Sequence, residues 1–165
     1  MIGSLTRNRR LIEVDLPIKA LSAMRGKRTR QGDVDVRSPG LWWSRKPQHQ
    51  CRAIWLAILL PDPADENLSA GQVEGLRKIL RRHNLLTERG QTSALGLRQD
   101  LLRLCELIAE PEMAVDHGMQ ALVRDLARLL EFSPKVALDP FAGSGAIPVE
   151  AQRLGLNSIA SEYSP

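Results

Sequence analysis

The chain of 165 residues has only two cysteines and no long hydrophobic run, and each shortage excludes a class of protein. Cys51 and Cys105 lie far apart and form no C-x-x-C pair. This spacing argues against a zinc finger or a disulfide framework and favours a reduced, cytoplasmic setting. The longest apolar run, residues 53–61, is too short to cross a bilayer, so we expect no membrane segment.

Histidine is also scarce. His49, His83 and His117 stand alone in the sequence, without metal-ligand spacing and without an obvious nucleophile beside them. We therefore predict no metal site. All three histidines are interpreted as surface residues or as residues with satisfied hydrogen bonds.

Aromatic residues make up 4% of the chain, and all three tryptophans fall between positions 42 and 55. The charge is equally uneven. Residues 1–60 carry 12 Lys and Arg against 4 Asp and Glu, whereas residues 61–165 carry 11 against 15. A basic first part indicates a polyanion partner such as DNA. A solvated basic surface or a flexible arm is the alternative interpretation.

The middle of the chain has helical patterning. Helices are predicted over residues 48–60, from an N-cap at Ser69 to about His83, and from Thr92 or Ser93 to a stop at Pro111. A further helix is predicted over residues 113–131. Regularly spaced leucines favour a packed helical layer, and a surface that faces DNA or a partner is the alternative.

The segment DPFAGSGAIPVEA, residues 139–151, carries the most specific signal. Lys135–Asp139 is predicted to form a short buried strand. Gly143 and Gly145 allow positive φ angles and a close approach of backbone to a ligand. Pro148 suits the first turn of the helix that follows, and Glu150 suits its positive N-terminal end.

Gly155 is predicted to end this helix, and residues 157–161 are predicted to form a second strand with Glu162 at its carboxyl end. The result is a β-α-β unit whose ligand crevice lies at the carboxyl ends of the strands. Glu162 follows the glycine turn at about the 20-residue offset of an acid that accepts from ribose hydroxyls. An ordinary strand, turn and helix without a ligand is the alternative.

Two cofactor classes compete for such a unit. A dinucleotide site would show G-x-G-x-x-G, but Gly145 is followed by Ala146, Ile147 and Pro148. Asp139 before the turn opposes a pyrophosphate and suits a cationic group. S-adenosylmethionine carries an ammonium and a sulfonium and has no phosphate, so it is the favoured cofactor. The candidate cofactor-binding residues are Asp139, Pro140, Phe141, Ala142, Gly143, Gly145 and Glu162.

The string resembles motif I of class I S-adenosylmethionine-dependent methyltransferases. Residues 10–17 (RLIEVDLP), 42–47 (WWSRKP), 51–53 (CRA) and 59–63 (LLPDP) resemble the N-terminal region of large adenine-specific DNA methylases. The N-terminus of that family is catalogued as a domain of unknown function, and some members lie in anti-phage defence loci. Residues 25–40 depart from the family pattern.

This resemblance implies an α/β fold class, namely the start of a Rossmann-like methyltransferase fold after a mostly helical N-terminal region. It implies a family-specific region over 1–63, a helical subdomain over 64–133 and the start of an S-adenosylmethionine-binding unit over 134–165. It also implies an adenine-N6 DNA methyltransferase with DNA as its partner.

One short segment of the chain combines aromatic and basic residues. The candidates for contacts with nucleic acid or with the edge of the cofactor are Trp42, Trp43, Arg45 and Lys46. A tryptophan pair buried between helices, with arginine and lysine at the surface, is the alternative.

Amino-methylating enzymes of this kind place a D/N/S-P-P-Y/F tetrapeptide after a later strand, and the chain contains none. We therefore expect an N-terminal piece with an incomplete sheet, whose catalytic motif and possible partner half lie beyond residue 165. A fragment of an RNA guanine-N2 methyltransferase and a non-catalytic remnant that binds DNA or a protein partner are the alternatives.

Overall fold

The sheet of this α/β protein has two parallel strands, and most of its helices come before them. The computed structural model describes residues 8–24, 47–132 and 135–163. Within these ranges the helices are α1 (Ile18–Ala23), α2 (Gln48–Leu59), α3 (Ala70–Arg82), α4 (Glu88–Thr92), α5 (Ala94–Ile108), α6 (His117–Leu129) and α7 (Ala146–Arg153), and the strands are β1 (Val136–Asp139) and β2 (Asn157–Ala160).

Polar side chains begin α3 and α5 where the sequence predicts. The Ser69 hydroxyl accepts from the backbone N–H of Gln72 at 3.2 Å, and Gln72 reaches back to form a capping box. Ser93, and not Thr92, begins α5 by accepting from the Gly96 N–H at 3.0 Å. Side-chain caps satisfy amide groups that the first helical turn leaves unpaired, so these two starting points are fixed by local chemistry.

The predicted helix over residues 113–131 is wrong at its start. Residues 111–114 form a 3-10 turn, and α6 begins only at His117. Asp116 has an extended backbone, and its side chain accepts from the Met119 N–H at 2.7 Å. This carboxylate begins a new helix and thereby divides the predicted one. The short helix α4, which Thr87 caps, was not predicted.

One continuous hydrophobic core joins the N-terminal, middle and C-terminal parts of the chain. Leu56 of α2, Leu101 of α5 and Ala151 of α7 are all fully buried within this cluster. The largest completely buried side chains are mostly leucines at helical spacing, as the patterning predicts, together with Ile108 and Phe132. The three-part division of the chain remains an interpretation of the sequence.

The β-α-β unit is present with nearly the predicted bounds. β1 and β2 pair in parallel, with Val136 opposite Asn157 and Asp139 opposite Ala160, and α7 connects them. The expectation that β1 is buried is wrong for one of its faces. Ala137 and Asp139 are buried, but Val136 and Leu138 are 54% and 66% exposed among the described residues. One face of the parallel pair is therefore apolar and open.

Close packing at Gly96 supports a stability prediction. A Cβ at Gly96 would lie 2.1 Å from the carbonyl oxygen of Arg89 and 2.7 Å from the amide nitrogen of Gly90, so the backbone between α4 and α5 would have to move. We expect Gly96→Ala to lower the free energy of unfolding by about 2 kcal/mol or more, measured by urea unfolding.

Gly71 is the matched control for this variant, because a Cβ there would meet no described atom outside its own helix backbone within 4 Å. Gly71→Ala should leave stability unchanged or raise it by up to about 1 kcal/mol through helix propensity. Equal effects of the two variants would contradict the packing argument.

Candidate functional site

The turn between β1 and α7 holds the candidate cofactor site. Both glycines have the left-handed backbone that the sequence predicts for them, with φ of 55° at Gly143 and 76° at Gly145. Gly145 stands at the N-terminus of α7, and Pro148 lies in the first turn, where its missing N–H costs nothing. Among the described residues, no atom apart from Gly145 itself and its chain neighbours lies within 4 Å of the position of a Cβ at Gly145, which leaves space for a ligand there.

Only one of the two carboxylate oxygens of Asp139 has a hydrogen-bond partner among the described residues. Asp139 is 8% exposed, and its Oδ1 accepts from the Phe141 N–H at 3.1 Å. Its Oδ2 is buried and has no hydrogen-bond partner in the described part of the chain. An unpaired buried carboxylate oxygen destabilises a folded protein, so its presence at the start of a glycine turn points to a ligand.

Glu162, two residues beyond the end of β2, borders the site on the side of the second strand. Its Oε2 accepts from the Gly143 N–H at 2.5 Å, and its Oε1 accepts from the backbone of Tyr163 at 2.8 Å. Two backbone hydrogen bonds hold the strand ends together: the Ala142 N–H donates to the Ser161 carbonyl and the Ser161 N–H donates to the Asp139 carbonyl, both at 3.0 Å. The parallel register thus brings Asp139, Gly143 and Glu162 to one edge of the sheet.

Exposed aromatic rings border this turn. Phe141 is 79% exposed, and Tyr163 is more exposed still. Pro140 and Ala142 complete the predicted loop beside Phe141. Sequence reasoning missed Tyr163 as a site residue, although its position next to Glu162 was a usable signal. A ring at each strand end offers a surface on which an adenine base can stack.

The segment with Trp42, Trp43, Arg45 and Lys46 lies outside the described residues, so its predicted place beside the cofactor stays a prediction. The helix that follows, α2, packs directly against α7. The Trp55 indole N–H donates to the carbonyl oxygen of Ile147 at 3.2 Å.

A buried ion pair between Arg52 and Glu150 joins α2 to α7. The two residues are 4% and 0% exposed, and Arg52 Nε lies 2.7 Å from Glu150 Oε2. Arg52 Nη1 also donates to the carbonyl of Ile108 at the end of α5, at 3.0 Å, and Arg153 bonds the other oxygen of Glu150. The expectation that Glu150 serves the helix dipole is wrong, because it lies beyond the first turn and pairs with a residue 98 positions earlier.

The three histidines and Cys105 have different surroundings. His83 bonds Asp125 at 3.3 Å and His117 is exposed, as expected. His49 differs, because its Nε2 is buried without a hydrogen-bond partner among the described residues; burial and, secondarily, the charge of Arg52 lower its pKa. Burial raises the pKa of the Cys105 thiol to about 12. No group of three metal-ligating side chains occurs in the described ranges.

The chemistry of the site follows from its charges. Asp139 and Glu162 supply two carboxylates, and the position of a Cβ at Gly145 faces open space in the described structure. Carboxylates attract an ammonium and accept from hydroxyls, and they repel a phosphate group. The arrangement therefore suits a ligand with a cationic end and a ribose.

Residues 15–82 match a protein family described as "Protein of unknown function (DUF1156)". The expectation that the N-terminal region resembles a domain of unknown function is thereby confirmed, and the match extends through α3 to Arg82. No curated protein and no solved structure matches the chain. Among the described helices, none combines the length and the apolar character that a membrane span requires.

Proposed function

We propose that this chain is the cofactor-binding part of an S-adenosylmethionine-dependent methyltransferase that acts on the N6 amine of adenine in DNA. One observation carries the proposal. Two carboxylates from the ends of adjacent parallel strands, Asp139 and Glu162, converge on the glycine turn, and a buried oxygen of Asp139 has no partner among the described residues.

The charge of the site favours S-adenosylmethionine over a dinucleotide. A phosphate about 4 Å from the Asp139 carboxylate would be disfavoured by roughly 4 kcal/mol at an effective dielectric constant of 20. An ammonium at the same distance would gain a similar amount. S-adenosylmethionine offers that ammonium and carries no phosphate.

In this proposal each site residue has a distinct task. Asp139 Oδ2 takes the cationic end of the cofactor through its unused acceptor capacity, and Glu162 accepts from the ribose hydroxyls. Gly143 and Gly145 let the backbone approach the ligand closely. Pro140, Phe141 and Ala142 form the rest of the turn beside the ligand. Phe141 and Tyr163 border the adenine.

When bound, S-adenosylmethionine supplies a methyl group on a positively charged sulfur, which is already activated for transfer to an amine. The described residues therefore need only to hold and orient the donor. In the enzymes that the chain resembles, a D/N/S-P-P-Y/F motif positions the adenine amine. The apolar face at Val136, Leu138 and Ile159, exposed in the described structure, offers a surface that a further strand or helix can cover, because parallel sheets are normally covered on both faces.

DNA is the proposed substrate because two observations agree. Residues 1–60 carry a large excess of Lys and Arg, and a polyanion fits this charge. Residues 10–63 resemble the N-terminal region of adenine-specific DNA methylases, and most of them lie within the stretch that matches a family of unknown function.

Calorimetric titration with S-adenosylmethionine tests the proposal. We expect the wild-type chain to bind it, and Glu162→Ala to weaken binding by at least about tenfold, since a hydrogen bond to a charged group contributes about 1.5–3 kcal/mol. Glu112→Ala, at an exposed acid of the 3-10 turn, is the matched control and should bind normally. A folded wild-type chain that binds NAD and not S-adenosylmethionine would overturn the cofactor assignment.

A further inference from the structure

Helices α3 and α6 concentrate positive charge in a part of the chain that is otherwise acidic. Residues 61–165 carry 11 Lys and Arg against 15 Asp and Glu. The two helices alone hold 6 of those cations and only 2 of the acids, Glu74 and Asp125. The remaining residues of this range hold 5 cations and 13 acids. Such segregation sets one helix pair apart from its surroundings.

The packing of the two helices puts these cations on one outer surface. Gly75 of α3 lies against Leu129, and Arg82 lies against Asp125, so the helices run antiparallel. Their apolar sides, which include Leu76 and Leu122, are buried in the core. Residues four apart on a helix share a side. The outer surface therefore presents a basic face made of Lys78, Arg81, Arg82, Arg124 and Arg128, all of them exposed.

Little negative charge neutralises this basic face. Helices α3 and α6 contain two acids: Asp125, which bonds Arg82 at 2.7 Å and lies 4.0 Å from Arg128, and Glu74, which lies 3.7 Å from Arg77. Lys78, Arg81 and Arg124 have no acidic partner in the described part of the chain. Three cations thus remain available to an external anion, and two more are held in place beside them.

We infer that the basic face binds the phosphate backbone of duplex DNA. The inference rests on the proposed function and adds to it a second surface that positions the substrate. Lysine and arginine are the usual phosphate contacts, and such contacts fix the register of a protein on DNA without reading sequence. A protein partner fits this surface less well, because no large exposed hydrophobic residue lies on α3 or α6 to form the apolar centre of an interface.

Fluorescence anisotropy with a labelled duplex tests the inference on the full chain. Lys78→Gln, Arg81→Gln and Arg124→Gln are combined in one variant. Arg89→Gln, Arg103→Gln and Arg153→Gln form the matched control, with the same charge change at exposed positions outside both the basic face and residues 1–60. We expect the first variant to weaken binding by about tenfold to a hundredfold at low salt. The slope of log affinity against log salt concentration should also fall by about 2–3, because each lost phosphate contact removes about 0.9 from it.

Three outcomes would overturn the inference. Equal weakening by both variants would assign binding to overall charge, and unchanged binding in the first variant would remove the face from the interface. If polyglutamate binds the wild type more tightly than the duplex does, and loses affinity in the first variant alone, the face is a site for an acidic protein. Titration of the same variants with S-adenosylmethionine separates the two proposals. If the chain does not bind the cofactor but still loses DNA affinity in the first variant alone, the basic face binds DNA and the methyltransferase proposal is rejected.

Discussion

Arg52→Met is expected to lower the free energy of unfolding by about 3–5 kcal/mol, because it leaves the buried carboxylate of Glu150 without its main partner. Arg153 also bonds Glu150, but its side chain is partly exposed and approaches from the surface. The lost hydrogen bond to the Ile108 carbonyl adds to the effect. Urea unfolding followed by circular dichroism measures the difference.

Two further variants make this result specific. The double variant Arg52→Met with Glu150→Met removes both charges and should recover most of the loss, since apolar replacements of a buried pair are often neutral or stabilising. Arg82→Met breaks an ion pair in which the arginine is exposed and should cost less than about 1 kcal/mol. A double variant no more stable than Arg52→Met would show that the charges themselves are not the cause.

Asp139→Asn is expected to weaken S-adenosylmethionine binding by about thirtyfold or more without lowering the free energy of unfolding. Asparagine keeps the acceptor for the Phe141 N–H, so the turn retains its local hydrogen bond. The change removes a negative charge whose second oxygen is buried without a partner in the described residues. Loss of an interaction with a cationic group costs about 2 kcal/mol or more, which sets the expected weakening.

Asp62→Asn is the matched control, because Asp62 is buried and fully paired. Arg9 and Arg98 both donate to its carboxylate, the latter at 2.8 and 2.9 Å. Burial raises the pKa of Asp62, but the hydrogen bonds from Arg98, the Ala64 N–H and Arg9 lower it to below its usual value. We expect Asp62→Asn to lower stability by about 1–3 kcal/mol and to leave cofactor affinity unchanged. If both variants lose stability alike, Asp139 is a structural residue.

Local patterns of the sequence predict much of the cofactor turn. A few neighbouring residues determine the positive φ angles of Gly143 and Gly145. The same holds for the helix starts at Ser69 and Ser93. The same reasoning failed at Asp116, because one carboxylate there ended an otherwise continuous helical pattern. A capping side chain within a helical pattern can start a new helix, and the sequence does not tell whether the cap or the continuous helix is more stable.

Long-range pairs were the part that sequence patterns could not supply. Arg52 and Glu150 each look like ordinary surface residues of an amphipathic helix, and only the packing of α2 on α7 makes them partners. The open face of β1 was missed for a related reason, since an apolar run does not reveal whether both sides of a strand are covered. The basic face of α3 and α6 likewise depends on the antiparallel packing of two helices distant in sequence.

The most direct test of the central claim is an NMR titration of the uniformly nitrogen-15-labelled chain with S-adenosylmethionine. If the glycine turn is the cofactor site, the amide signals of Phe141, Gly143, Gly145 and Glu162 should shift with increasing ligand, while those of α3 stay fixed. The same titration of Asp139→Asn should leave the turn signals in place at equal concentrations. Shifts confined to another part of the molecule, or none in a folded wild-type chain, would contradict the claim that this turn binds S-adenosylmethionine.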